Sequence, residues 1–204
     1  MARIHGLYAV TPDSDQPQRL LQQVAAALAG GARVLQYRDK INEPAVRLDT
    51  ARQIRALCDA TGATFIINDD VQLALACGAD GVHVGKDDLA LEQARVALPD
   101  KIIGVSCYNQ LQRAQDMAAR GADYVAFGRF FPSKTKPNAA QAELELLRRA
   151  RVELSLPIVA IGGVTIDNAA QLLAAGADSV AVIDDLFSAA DIEARASAYA
   201  ALFA

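Results

Sequence analysis

The sequence has little of what several protein classes require. Its three cysteines, Cys58, Cys77 and Cys107, stand 19 and 30 residues apart. That is neither the close pairing of a zinc site nor the density of a disulfide scaffold, so they read as buried thiols in a reducing compartment. Histidines number only two, His5 and His83. No uninterrupted apolar run approaches the ~18 residues that a membrane-spanning helix needs. The N-terminal MARIHGLYAVTPDSDQ turns polar before the apolar stretch of a signal peptide could develop. A soluble cytoplasmic protein with no membrane partner is the expectation. Basic charge is not in excess either: 20 Lys plus Arg against 24 Asp plus Glu give a formal net charge of −4. This argues against a nucleic-acid module running on a general basic field, and an anionic ligand would have to be held by local groups.

What the chain does have is length, hydrophobicity and an internal echo. Its 204 residues, 52% hydrophobic and 22% charged, suffice for one domain with a real core and lie far from the composition of disordered chains. Four segments look alike: AALAGGARVLQYR, ALACGADGVHVG, MAARGADYVAFG and LLAAGADSVAVI. Each joins an Ala-rich helical tail, through a Gly-Ala turn, to a short run dense in Val, Tyr or Phe with the length of a buried strand. The turn glycines, Gly31, Gly78, Gly121 and Gly176, are 47, 43 and 55 residues apart, too far for one strand–helix unit and right for two. The missing strands are the apolar runs Ile4–Val10, Thr64–Asn68, Lys101–Val105 and Pro157–Ile161. Amphipathic stretches over Glu43–Thr61, Asn109–Arg120, Ala139–Leu154 and Thr165–Ala175 read as helices, with Asn109 and Thr165 placed as N-caps. Strict alternation implies parallel strands covered by helices. There is no linker, no low-complexity tract and no Gly-rich dinucleotide fingerprint after the first strand. The reading is therefore an α/β chain folded as a single (β/α)8 TIM barrel over residues 1–204, compact against the ~250 residues usual for that fold. Chemistry is expected on the loops that follow the C-terminal ends of the strands.

Several of those loops carry candidate groups. Gln36-Tyr37-Arg38-Asp39-Lys40 follows the second strand, and alternation puts Gln36, Arg38 and Lys40 on one face. An amide, a guanidinium and an ammonium there suit phosphate oxygens; the other reading is a solvated charged loop. Asn68-Asp69-Asp70 and Gly85-Lys86-Asp87-Asp88 follow strands three and four. Two carboxylate clusters on adjacent strand ends could converge on one hard cation such as Mg2+. One Asp of each could instead cap a helix, which suits Asp70 and one of Asp87 and Asp88. Ser106-Cys107-Tyr108-Asn109 offers a hydroxyl and a thiol without a base, because His5 lies at the opposite end of the barrel and His83 reads as a packed, hydrogen-bonded core histidine. Covalent catalysis is not expected. The run from Gly128 through Arg129 and Pro132 to Pro137 has the composition of an anion-binding lid, or of an exposed loop with chance lysines. Ile161-Gly162-Gly163 and Val182–Asp185 stand where such barrels bind phosphate through backbone N–H groups. Two anion sites and a cation site are thus expected around one mouth.

Taken in order, LYAVTPD, LQYRDK, INDD, ADGVHVGKDDL, IIGVSC, GADYVAFGRFFPSKTK, VAIGGV and SVAVI resemble the thiamine phosphate synthase family over nearly the whole chain. The resemblance implies a barrel enzyme that joins a pyrimidine diphosphate to a thiazole phosphate and releases pyrophosphate with Mg2+. It implies that Gln36, Arg38, Lys40, Asn68 and Ser106 hold the pyrimidine diphosphate and that Asp69 and Asp88 ligate Mg2+. Ser133, Lys134 and Thr135 would contact the thiazole phosphate and Lys136 the pyrophosphate, with Gly163 and the backbone at Ile183 and Asp184 completing the thiazole phosphate pocket. Arg38, Lys40 and Lys136 would carry the catalysis. The chain departs from the family pattern at Lys86, usually Gln, Ser133, usually Thr, Arg129, usually Pro, and Asp184, usually Ser. A carboxylate at 184 is repulsive to a phosphate unless it points away and only its N–H is used. The implied chemistry is dissociative: diphosphate leaves, the aminopyrimidine delocalises the cation and the thiazole nitrogen captures it, so the protein supplies charge and alignment. One rival is a thiazole tautomerase of the related branch, which generally has a His where Tyr108 stands and lacks the metal Asp and lid Lys pattern. The other is a non-catalytic thiazole phosphate-binding regulator on the same barrel.

Overall fold

A computed structural model describes residues 4–85, 91–132 and 141–204. Strands and helices alternate through them: β1 Gly6–Val10, α1 Pro17–Ala29, β2 Val34–Tyr37, α2 Pro44–Thr61, β3 Thr64–Asn68, α3 Val71–Cys77, β4 Gly81–Val84 and α4 Leu91–Ala97. The second half repeats the order with β5 Ile102–Tyr108, α5 Leu111–Ala119, β6 Tyr124–Phe127, α6 Leu144–Glu153, β7 Ile158–Ile161, α7 Ile166–Ala174, β8 Ser179–Val182, α8 Asp184–Phe187 and α9 Ile192–Ala200. Each strand pairs in parallel with the next, and β8 pairs in parallel with β1, so the expected (β/α)8 barrel is closed in chain order. No helix among the described residues is long and apolar enough to cross a membrane.

One expected cap is found and one is not. Thr165 opens α7 in a capping box, with the Asn168 side chain accepting the Thr165 N–H at 2.9 Å. Asn109 does not cap α5: β5 runs on past Val105 through a register shift between Ser106 and Tyr108, and Gln110 takes the cap position without a side-chain bond. The bulge uses up the residues that a shorter strand would have left for the cap.

The sequence's two-sided apolar strands serve two separate cores. Outward residues such as Leu7, Leu35, Phe65, Val82, Ile103, Val125, Ile158 and Val180 pack under the helices. Inward residues, among them Tyr8, Val34, Ile66, Tyr124, Val159 and Ala181, fill the barrel. Gly104 faces inward as well, and a Cβ there would fall 1.9 Å from the Tyr124 ring. The ring of Tyr124 occupies the space that residue 104 leaves vacant.

At the opposite end from the mouth, three of the four echoed turns end in Asp. Asp80, Asp123 and Asp178 accept the N–H groups of Phe65, Ile103 and Ile158 at 2.7, 2.7 and 2.8 Å. The same carboxylates pair with Arg55, Arg95 and Arg151 at 2.8, 2.6 and 2.8 Å. Each staple therefore ties a turn, the neighbouring odd-numbered strand and the helix before that strand. The first turn has Arg33 at this place, and α9 closes the end instead. A Cβ on Gly30 would lie 2.3 Å from the Glu193 carbonyl oxygen, while the buried Ser179 hydroxyl donates to Gly6 O at 2.7 Å across the β1–β8 seam. Asp178→Ala leaves the Ile158 N–H without its partner and is expected to cost about 1–2 kcal/mol. The exposed Asp100→Ala should stay within ~0.5 kcal/mol, and urea unfolding of the two variants measures the difference.

Candidate active site

The C-terminal ends of the strands surround a cavity of about 370 Å³. Gln36, Arg38, Asn68 and Ser106 line it from β2, β3, β5 and their loops, and Gly163, Ile183 and Asp184 line it from the loops after β7 and β8. A second cavity of about 310 Å³ shares Asn68 and is lined by Lys40, Asp69, Arg47, Asp39, Asn42 and Asp70. The remaining candidates, Asp88, Ser133, Lys134, Thr135 and Lys136, lie outside the described residues, as do Lys86 and Asp87.

Gln36 and Arg38 open on the same cavity as their alternation predicts, but Lys40 does not join them. The strand stops at Tyr37, and residues of the first loop take over the backbone beyond it. Thr11 Oγ1 accepts the Arg38 N–H at 2.9 Å and donates to Arg38 O at 3.0 Å. The Asp13 carboxylate accepts the Lys40 N–H at 2.8 Å and the Arg38 guanidinium at 2.6 Å. Alternation therefore carries to Arg38, which reaches the first cavity with Gln36, and ends at Lys40, whose backbone Asp13 holds and whose side chain reaches the second. Asp39 anchors the same loop from beneath: Tyr37 Oη, Asn42 Nδ2 and the N–H groups of Ile41 and Asn42 all donate to it, at 2.8 to 3.0 Å.

Asp69 sits at the end of β3 with φ 63°, a left-handed conformation that a short polar residue tolerates. Its carboxylate accepts from the Lys40 ammonium and, at 2.6 Å, from Asn68 Nδ2, while its N–H donates to His83 O at 2.8 Å. Asp70 turns the other way. It caps α3 through the Leu73 N–H at 2.9 Å and pairs with Arg47 at 2.9 Å, as its capping reading anticipated. No group of three His, Cys, Asp or Glu side chains among the described residues is arranged to hold a metal. Of the three carboxylates that line the charged cavity, Asp39 is held by its own loop and Asp70 by the α3 cap and Arg47; Asp69 nonetheless fits the hard oxygen donor that Mg2+ takes from proteins when water and phosphate fill its other positions.

The glycine loop after β7 answers first to its neighbour. Gly163 has φ 66°, and a Cβ on it would lie 2.3 Å from the Pro132 carbonyl oxygen. Glycine at 163 is thus demanded by the packing of the β7 loop on the β6 loop. After β8, Ile183 holds the cap position of α8 and Asp184 is its exposed first residue, making no side-chain hydrogen bond among the described residues. Asp185 is turned inward, accepting from Arg195 at 2.8 and 2.9 Å and from Tyr199 Oη at 2.7 Å.

Among the apolar side chains that fill the barrel beneath the first cavity runs one string of polar ones. His83 is the buried, hydrogen-bonded histidine the sequence suggested: Nδ1 lies 2.9 Å from Tyr124 Oη and Nε2 2.9 Å from Ser106 Oγ. Tyr124 Oη is 2.8 Å from Tyr8 Oη, which accepts from Gln36 Nε2 at 2.7 Å. Burial raises the pKa of both tyrosines. Sequence reasoning missed Tyr8, Tyr124 and the Asp13 clamp. Cys107 is buried, and desolvation pushes its thiol up to about 12, which suits no nucleophile.

Asp39 generates a test of the loop. Burial acts to raise its carboxyl pKa, but hydrogen bonds from Asn42, Tyr37 and Ile41 outweigh it and hold the value below the ordinary one. A lowered folded-state pKa gives stability that is fully present above the unfolded value of ~3.9 and lost as pH falls through the folded value. Asp39→Asn should therefore cost about 1–2 kcal/mol at neutral pH. The gap to the parent chain should narrow in urea unfolding below about pH 4.

The family model described as thiamine monophosphate synthase matches residues 7–186, a span from β1 into α8 that holds both cavities. The chain is 55% identical over 202 residues to the thiamine-phosphate synthase of Aromatoleum aromaticum, covering 98% of this chain and 97% of that one. It is 56% identical over 201 residues to that of Methylobacillus flagellatus, covering 98% and 96%. The solved thiamine phosphate pyrophosphorylase of Pyrococcus furiosus superposes with a TM-score of 0.89 at 33% identity, over 97% of this chain and 95% of that structure. Fold, cavities and relatives agree, and the chain belongs to the thiamine monophosphate synthase family.

Proposed function

We propose that this chain acts in thiamine biosynthesis as a cytoplasmic, single-domain, Mg2+-dependent transferase, joining a pyrimidine diphosphate to a thiazole phosphate to give thiamine phosphate and pyrophosphate. The observation that carries this reading is the pair of cavities meeting at Asn68. One has apolar walls from Val10, Ala126, Val159 and Ile161 that suit stacked rings. The other gathers Lys40, Arg47 and Asp69 and suits a diphosphate with its cation. A substrate that is a ring joined through one carbon to a diphosphate would lie across that junction.

In this reading Gln36, Asn68 and Ser106 hold the pyrimidine, while Arg38 and Lys40 meet the diphosphate oxygens and draw off charge as the bond to carbon breaks. Arg38 and Lys40 arrive already oriented, because Asp13 and Thr11 fix their backbone. Asp69, with Asp88, would hold the Mg2+, whose charge when bound offsets that of the departing diphosphate. Ser133, Lys134 and Thr135 would take the thiazole phosphate, together with Gly163 and the backbone at Ile183 and Asp184, and Lys136 the pyrophosphate. The exposed Asp184 side chain is compatible with a phosphate that sees only backbone there. Cleavage leaves a cation that the aminopyrimidine stabilises, so alignment of the two rings is the remaining task. The relatives described above carry the synthase name, and neither the tautomerase nor the regulator reading gains support from them.

Incubation with both substrates and Mg2+ should yield thiamine phosphate by mass; absence of product would overturn the reading. Asp69→Asn and Asp88→Asn should each lose at least ~10-fold in turnover with an unchanged far-UV circular dichroism spectrum. Lys136→Ala should lower kcat more than it raises KM, since a charge on the leaving group counts most as the bond breaks. A pure KM effect would place Lys136 in ground-state binding.

A further inference from the structure

The string of polar side chains through the barrel has a direction. Each tyrosine hydroxyl carries one proton. Gln36 Nε2 donates to Tyr8 Oη at 2.7 Å, so the Tyr8 proton goes on to Tyr124 at 2.8 Å and the Tyr124 proton to His83 Nδ1 at 2.9 Å. A neutral imidazole that accepts at Nδ1 carries its hydrogen on Nε2, which donates to Ser106 Oγ at 2.9 Å. The Ser106 proton is then left for the cavity, as is the Gln36 Oε1 acceptor at the other end. The reverse order satisfies the same five groups. It needs the Gln36 amide inverted, the histidine hydrogen on Nδ1 and every hydroxyl turned, so the string switches as a whole.

Tyr124 is the middle member. It is 0% exposed and does not line the cavity. Gly104 leaves open the space its ring occupies, since a Cβ at 104 would lie 1.9 Å from Tyr124 Cζ. Its burial and that of Tyr8 keep both phenols protonated, so neither can become a double acceptor that would break the sequence of donors. We propose that Tyr124 is a positioning residue: it transmits the donor direction from Gln36 to His83, so that the cavity meets an acceptor at Gln36 and a hydroxyl donor at Ser106. Resting on the function proposed above, this polarity selects a ring edge that offers an amino donor and a ring-nitrogen acceptor, which is what an aminopyrimidine presents.

The tautomer of His83 reads the direction without substrate. In a His5→Ala background one histidine remains, and its ring 15N shifts at about pH 8.5, where imidazole is neutral, should report hydrogen on Nε2. Gln36→Glu replaces the donor by an acceptor and should move the hydrogen to Nδ1, with the intervening protons reversed. Gln36→Glu combined with Tyr124→Phe should abolish that response. A parent protein with hydrogen on Nδ1, or a tautomer indifferent to Gln36→Glu, overturns the inference, and the Gln36→Glu arm decides even where Tyr124→Phe fails to fold. In kinetics, Tyr124→Phe should raise KM for the pyrimidine diphosphate about 10-fold while KM for the thiazole phosphate stays within ~2-fold. Equal rises in both, or a change in kcat alone, overturn the positioning role. A chain that shows the tautomer switch yet makes no thiamine phosphate would refute the proposed function and leave this inference standing.

Discussion

In a closed barrel of eight parallel strands, every second side chain is forced into the same narrow interior, and what one strand contributes is limited by what the others have already put there. Here Gly104 contributes nothing, and the Tyr124 ring crosses the space it leaves. Tyr124 thereby comes within 6.1 Å of the Tyr8 ring and 5.5 Å of the His83 ring, centroid to centroid. A missing methyl on one strand is thus the condition for a polar contact between three others. The floor of the cavity is consequently built from strands rather than loops, and its donors and acceptors are in place before any ligand arrives.

The walls follow a different rule. Loops at the mouth are acidic, yet among the described residues several of their carboxylates are occupied with the protein itself. Asp13 and Asp39 shape the loop after β2, Asp70 opens α3, and Asp185 binds α8 to α9. Asp69 is set apart by its left-handed backbone, which turns its carboxylate toward Lys40 at the charged cavity. Count of acids at a barrel mouth is therefore a poor guide to the charge a ligand meets, because the acids mainly convert flexible loop backbone into fixed geometry.

How much of this was legible in the sequence depends on whether a signal was local. The four Gly-Ala turns and the eight apolar runs are local, and they gave the architecture; Thr64–Asn68 coincides with its strand to the residue. Asp70 could be read as a cap because capping acts over three residues. Tyr8 and Tyr124 could not be read as a pair. Parallel strands are apolar on both faces, so nothing along the chain marks which alternate residues point inward, and their contact spans 116 positions. Asp13 was hidden for the same reason, since the backbone it clamps is 27 residues away. The shared face expected of Gln36, Arg38 and Lys40 held for the first two and failed at Lys40, whose backbone is held by the distant Asp13.

The end of the barrel remote from the mouth carries a consequence for how the chain is made. Three Asp staples secure neighbouring strands as they follow one another in the sequence, but the first turn has none, and its closure relies on β8 and α9. Synthesis from the N-terminus delivers β1 early and its second neighbour last, so during translation the nascent sheet can be stapled progressively while still lacking its final seam. Until Ser179 and the residues after it have left the ribosome, β1 and β7 each offer an unpaired edge. The last strand is the partner of both, so it alone removes both borders, and it does so at once.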